Sequence, residues 1–133
     1  MRHILVVEDD AVNAMVFRTV LEKRGGFRAT VTEDAEELFQ LARSGALDLV
    51  IMDVSLADTR WEGLPVSGVD LCRLLKADPR TAGIPVLLAT AHAMRGDADE
   101  LLAKSQADDY VAKPIIDHAV FVEQVRALLT KAA

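Results

Sequence analysis

Leu47-Asp48-Leu49-Val50-Ile51-Met52-Asp53-Val54-Ser55 is the stretch on which the fold turns. Leu49 to Met52 are apolar without a break, so this run has no face to offer to water. A strand reads this way when it lies inside a parallel sheet covered by helices above and below. The run stops on Asp53, a carboxylate that no buried strand needs for packing. In open parallel α/β sheets, ligands bind beyond the carboxyl ends of the strands. Asp53 is therefore delivered to the edge where such folds do chemistry. Taken alone, it could equally open a turn or cap the next helix.

The pattern repeats on both sides. Ile4 to Val7 is a short apolar run ending on Glu8-Asp9-Asp10. From Val12 to Arg24 the residues Val16, Phe17, Val20 and Leu21 fall at helical spacing, and Gly25-Gly26 supplies the stop. Phe27 to Val31 predicts a second, weaker strand, because Arg28 and Thr30 alternate with apolar neighbours. Asp34 to Glu37 has the form of a capping box ahead of a helix face made by Ala35, Leu38, Leu41 and Ala42. After Asp53, residues 54–67 show little periodicity. Strand-to-helix connections usually take about 2–6 residues, so a segment of this length invites a functional reading. It holds the chain's single tryptophan, Trp61, which reads either as a core anchor or as a partner-recognition lid. Helices are then predicted from Gly68 to Ala77, about Ala93 to Ser105 and about Asp117 to Thr130. Strands at Pro85 to Thr90 and at Asp109 to Lys113 separate them. Alternating strands and helices imply a doubly wound, five-stranded parallel α/β sheet.

Composition narrows the function. A chain of 133 residues, 51% hydrophobic, fits one domain with a sizeable core. Fifteen basic against twenty-one acidic residues give a net charge of −6, which argues against a nucleic-acid surface and an anionic membrane. No apolar run is long enough for a membrane span, and the N-terminal apolar stretch is too short for a signal peptide. The lone Cys72 sits among apolar helical positions as a buried, inert thiol, and fits a reducing cytoplasm. His3 and His118 have no acidic partner at ligand spacing.

Four strand ends carry polar groups: Glu8-Asp9, Asp53, Thr90 and Lys113. Right-handed crossovers bring them to one sheet edge. Carboxylates crowded there must protonate or bind a cation, and an all-oxygen donor set in an open site suits Mg²⁺. Lys113 adds a point charge for an anion, and Thr90 a hydroxyl. A carboxylate beside Mg²⁺, an ammonium and a hydroxyl can attack a phosphoryl group and hold its oxygens. Asp10 reads as the N-cap of the first helix rather than as a ligand.

This constellation resembles the receiver domain of bacterial two-component response regulators. The resemblance rests on Val7-Glu8-Asp9-Asp10, Met52-Asp53, Thr90-Ala91, Tyr110 and Lys113-Pro114, and covers Ile4 to Leu129. It implies a flavodoxin-like sheet with strand order 2-1-3-4-5, and residues 1–133 as a single receiver domain with an extended loop at about 54–67. It implies that Asp53 is the phosphoacceptor and that Asp9, with Asp53, is a direct Mg²⁺ ligand. Glu8 acts through water, and the Ser55 carbonyl completes the set. Thr90 and Lys113 bind phosphoryl oxygens, Thr90 and Tyr110 switch, and the Lys113–Pro114 bond is cis. His92 either tunes dephosphorylation or is merely exposed.

The expected partners are a histidine kinase or histidine phosphotransfer protein and a downstream protein target, with no nucleic acid and no membrane. The expected function is a cytoplasmic switch rather than an enzyme and, if the chain is complete at Ala133, one that acts by protein contact. A receiver cut from a hybrid kinase reads the same way. The sequence departs from the family after Asp53: Leu56-Ala57 stands where Leu-Pro is usual, and Gly68 comes late. A haloacid dehalogenase-like phosphatase would carry a second acid where Ser55 stands. A flavin or nucleotide module would not place Glu8-Asp9-Asp10 against phosphate. A pseudo-receiver that binds partners without phosphorylation is the remaining alternative.

Overall fold

The computed structural model describes residues 1–91 and 98–132. One sheet contains β1 (His3–Val7), β2 (Arg28–Thr32), β3 (Leu49–Asp53), β6 (Val86–Thr90) and β7 (Asp109–Ala112), all parallel, in the order β2-β1-β3-β6-β7. The numbers β4 (Arg60–Trp61) and β5 (Leu64–Pro65) belong to a separate antiparallel hairpin. With these two set aside, the sheet follows the expected 2-1-3-4-5 order. The helices are α1 (Ala11–Lys23), α2 (Ala35–Arg43), α3 (Gly68–Ala77), α4 (Ala98–Ser105) and α5 (His118–Ala132).

Strand alternation divides the core into two layers. Ile4, Val6, Leu49, Ile51, Leu87 and Ala89 point to one face, where they meet Phe17 and Leu21 of α1 and Phe121 and Val125 of α5. Leu5, Val7, Val50, Met52, Val86 and Leu88 point to the other, against Leu38 and Phe39 of α2, Leu71 and Leu75 of α3, and Leu101 of α4. Every residue of β1, β3 and β6 is buried, as their unbroken apolar runs require. The edge strands β2 and β7 are partly exposed, which is why their sequences carry polar residues.

Caps set the helix starts. Asp10 accepts from the Val12 and Asn13 amides at 2.9 and 3.1 Å, as an N-cap should. The capping box expected at Asp34 is incomplete, since Asp34 accepts only from the Glu36 amide among the described bonds. The complete box lies instead at the start of α3, where Ser67 and Asp70 cap each other. Cys72 is fully buried, and burial pushes its thiol up to about 12. Among the described residues no helix is long and apolar enough to cross a membrane.

Residues 54–67 are more ordered than their sequence suggests. Arg60 pairs with Pro65 and Trp61 with Leu64, around a turn in which Glu62 and Gly63 both have positive φ (53° and 80°). That is the two-residue turn whose twist matches a hairpin, with glycine relieving the second position. The hairpin is pinched at its base by the Val66 amide donating to the Thr59 carbonyl, and again by the Gly68 amide donating to the Val54 carbonyl.

Candidate functional site

Strand register assembles the site. Val7 pairs with Met52, so Glu8 and Asp53 are the next residues on adjacent strands. Asp53 pairs with Ala89 and Thr90 with Ala112, which places Thr90 and Lys113 one step further along the same edge. The pleat does not scatter these groups, because each stands at the end of its own strand: Glu8, Asp53 and Thr90 on strands buried throughout, Lys113 just past the partly exposed β7.

Lys113 Nζ lies 2.9 Å from Asp53 Oδ1 and 3.1 Å from Glu8 Oε2. The Ser55 amide donates to the same Asp53 oxygen at 3.3 Å. One carboxylate oxygen each from Glu8, Asp9 and Asp53 lies within 4.8 Å of the others. Asp53 is 2% exposed and Glu8 is 4% exposed, so both charges sit largely away from water. Burial, then a hydrogen bond with Asp53, lifts the Glu8 carboxyl to about 7 despite the nearby lysine. Burial works against the Lys113 ammonium, yet the Asp53 and Glu8 carboxylates together raise its pKa above the usual lysine value.

Asp9 is half-buried, and its Oδ2 accepts from the Ala57 amide at 2.8 Å. These groups open into a cavity of about 330 Å³, also lined by Asp10, Asn13, Ala91 and Pro114. The donor set is oxygen only, crowded and negative, and fits a hard divalent cation such as Mg²⁺.

The remaining expected residues fall as follows. Thr90 is 2% exposed, and its carbonyl accepts from the Lys113 amide at 2.7 Å. Tyr110 pairs with Leu88 and packs, half-buried, against the core layer shared by α3 and α4. It is thus two positions before the strand end that Thr90 faces, rather than beside it. The Lys113–Pro114 bond is cis. His3 is hydrogen-bonded through Nδ1 to the Ala46 carbonyl and through Nε2 to Thr30 Oγ1, a structural use far from the site. His92 and the expected start of a helix at Ala93 lie outside the described residues.

Sequence reasoning missed the Ala57 amide and Asn13. A backbone donor has no signature in side-chain chemistry. Asn13 follows from Asp10 being the cap, which puts it in the first turn facing the same cavity.

Known proteins share this sequence pattern and fold. The response regulator receiver domain family matches residues 4–126. The polar-differentiation response regulator DivK of Brucella anthropi is 32% identical over 128 residues, covering 96% of each chain. Among solved structures, the receiver domain of a sensor histidine kinase from Pseudomonas aeruginosa has a TM-score of 0.78 at 26% identity, covering 97% of this chain and 98% of that one. That structure holds a magnesium ion in its active-site cleft. The signal receiver domain of a histidine kinase from Syntrophus aciditrophicus has a TM-score of 0.79 at 28% identity, covering 98% and 92% of the two chains. Fold, register and relatives lead to one assignment: the chain belongs to the response regulator receiver domains of two-component systems.

Proposed function

We propose that the chain is a phosphorylation-driven switch in which Asp53 accepts a phosphoryl group from a histidine kinase or histidine phosphotransfer protein. The observation that carries this is the contact of Lys113 Nζ with Asp53 at 2.9 Å, beside Glu8 and Asp9, at the carboxyl edge of the sheet. An Asp53 oxygen forms the new O–P bond as the donor's N–P bond breaks, and the donor imidazole keeps the electron pair. Lys113 holds negative charge on the transferring group, and the Thr90 hydroxyl binds another of its oxygens. Glu8, Asp9, Asp53 and the Ser55 carbonyl would hold Mg²⁺, with Glu8 reached through water. Mg²⁺ supplies positive charge that offsets the carboxylates and the incoming phosphoryl oxygens.

Thr90 shares a sheet face with Tyr110, under α4. Its movement toward a new phosphate would therefore change the surface that a downstream protein reads. Val12 and Met15 of α1 and Ile116 before α5 are exposed apolar side chains close in sequence to Asn13 and Pro114, which line the cavity, and suit docking by a helical donor. The whole chain acts as one receiver unit, with its 54–67 segment an extension of the loop after the acceptor. Its place of action is the cytoplasm, and its output is a change of protein contacts rather than turnover of a substrate.

The test is phosphorylation by acetyl phosphate with Mg²⁺. Wild-type protein is expected to take up one group, on the peptide that contains Asp53 and labile to hydroxylamine, while Asp53→Asn takes up none there. Equal modification of that peptide in the variant would overturn the assignment and leave a phosphorylation-independent interaction module.

A further inference from the structure

The hairpin at 60–65 has no part in the reading above, yet it is bonded to both of its neighbours. On one side, the Ala57 amide at its approach donates to Asp9 Oδ2 at 2.8 Å, across 48 residues of chain. On the other, Trp61 packs against Phe39 of α2 with ring centroids 4.4 Å apart and the ring planes tilted by 46°. The Arg43 guanidinium lies over both rings, at 5.3 Å from Phe39 and 6.0 Å from Trp61. Between these anchors, Thr59 is 7% exposed and its hydroxyl donates to the Glu33 carbonyl at 3.0 Å. The chain from Ala57 to Trp61 is thus fixed at one end to an acidic site residue and at the other to α2. The φ-positive turn and the Val66–Thr59 bond keep the segment from sliding.

We propose that this hairpin is a positioning element for the cation site: Trp61, held by Phe39 and Arg43, fixes the Ala57 amide, and that amide orients the Asp9 carboxylate. The inference rests on Asp9 being a cation ligand. With Oδ2 occupied by a backbone donor, the carboxylate is stopped from rotating, and its other oxygen is presented to the cavity at a lower entropic cost. A loosened hairpin leaves Asp9 as chemically competent as before, but it must be ordered each time a cation binds. Trp61 touches no cation and acts only through Ala57.

The experiment is calorimetric titration of Mg²⁺ into the full chain, run beside thermal melting without the metal. Trp61→Ala is expected to weaken Mg²⁺ binding about fivefold or more, a typical coupling between linked sites. Trp61→Phe, which keeps a ring on Phe39, is expected to restore most of the affinity. Arg43→Gln is expected to weaken it about twofold, in keeping with an exposed cation–π contact. Phe121→Leu, in α5 on the opposite face of the sheet, serves as the stability control. It should lower the melting temperature and leave Mg²⁺ affinity unchanged.

Linkage requires the reciprocal effect in the wild type, and that measurement is independent of how well any variant folds: saturating Mg²⁺ should slow hydrogen exchange at the Ala57 amide. Wild-type affinity in a Trp61→Ala protein that melts earlier would overturn the proposal and leave the cation site standing. Ala57 exchange indifferent to Mg²⁺ would overturn it too. A wild-type protein that binds no Mg²⁺ would overturn the cation site and the hairpin's role together.

Discussion

The two edges of the sheet each bury a lysine, and they use it differently. At the amino edge, Lys76 Nζ donates to the Ala82 and Ile84 carbonyls at 3.3 and 2.8 Å and to Asp108 Oδ2 at 2.8 Å. That carboxylate oxygen also accepts from the Val86 amide at 2.8 Å, and Asp48 accepts from the His3 amide at the start of β1. One ammonium meets one carboxylate, and the rest of its valence goes to backbone carbonyls. At the carboxyl edge, among the described residues, one ammonium, Lys113, stands among three carboxylates, Glu8, Asp9 and Asp53. The first arrangement is complete within the chain. The second, among the described residues, is short of positive charge. A buried pair with matched charges is complete in itself, whereas buried carboxylates in excess of their cations are a candidate for holding a cation from outside the chain.

The comparison breaks if removing charge costs the same at both edges. Lys76→Met should be the most damaging change, losing about 3 kcal/mol in urea unfolding, because it leaves the Ala82 and Ile84 carbonyls without their donor and Asp108 with only the Val86 amide. Asp53→Asn, in contrast, should leave metal-free stability nearly unchanged or raised, since it relieves repulsion.

The second way to sharpen it is pH. The Glu8 carboxyl is raised from 4.5 to about 7 in the folded chain. Its contribution to stability is therefore fully present below about pH 4.5 and is lost as pH rises through about 7. The difference between wild type and Glu8→Gln should change by about 3 kcal/mol over that window in metal-free buffer, on the scale of about 1.4 kcal/mol per pKa unit. Saturating Mg²⁺ should flatten the curve by holding the carboxylates ionised.

The smallest effect separates two adjacent aspartates. Asp10→Ala should cost about 1 kcal/mol through loss of the α1 cap and leave Mg²⁺ affinity in place. Asp9→Ala should do the reverse, weakening Mg²⁺ by more than tenfold with little loss of metal-free stability. Parallel melting and titration of both variants check this, and an exchanged pattern would mean that cap and ligand have been assigned the wrong way round.

Much of this was legible in residues. Leu49 to Met52 announced a strand buried on both faces, and every one of its positions is buried. Glu8, Asp9, Asp53 and Lys113 could be brought together on paper because parallel register carries consecutive strand ends to one edge. The Asp10 cap was legible from its place just before the first helical apolar residue. The hairpin was not, because a two-residue turn built on Glu62-Gly63 lacks the Asn-Gly or Asp-Gly signal, and each of its strands has only two residues. Trp61 also left its two readings balanced, since an aromatic surrounded by Arg60 and Glu62 looks alike at an interface and against a helix. The packing against Phe39 and Arg43 is a contact between distant segments, which no local pattern encodes.

Gly68 carries one more consequence. A Cβ at this position would run into the backbone carbonyl of Asp53, so the first residue of α3 lies directly against that residue. The Val54–Gly68 bond closes the intervening chain at its base, so the helix begins from the same point whatever lies between. Loop closure grows only slowly with length, at about 0.6 kcal/mol per doubling. Descendants of such a chain can lengthen, shorten or rewrite the excursion while Asp53 and α3 stay in place. Variation in this one segment would then give evolution a dial on the chemistry next door, one it can turn without redrawing the scaffold.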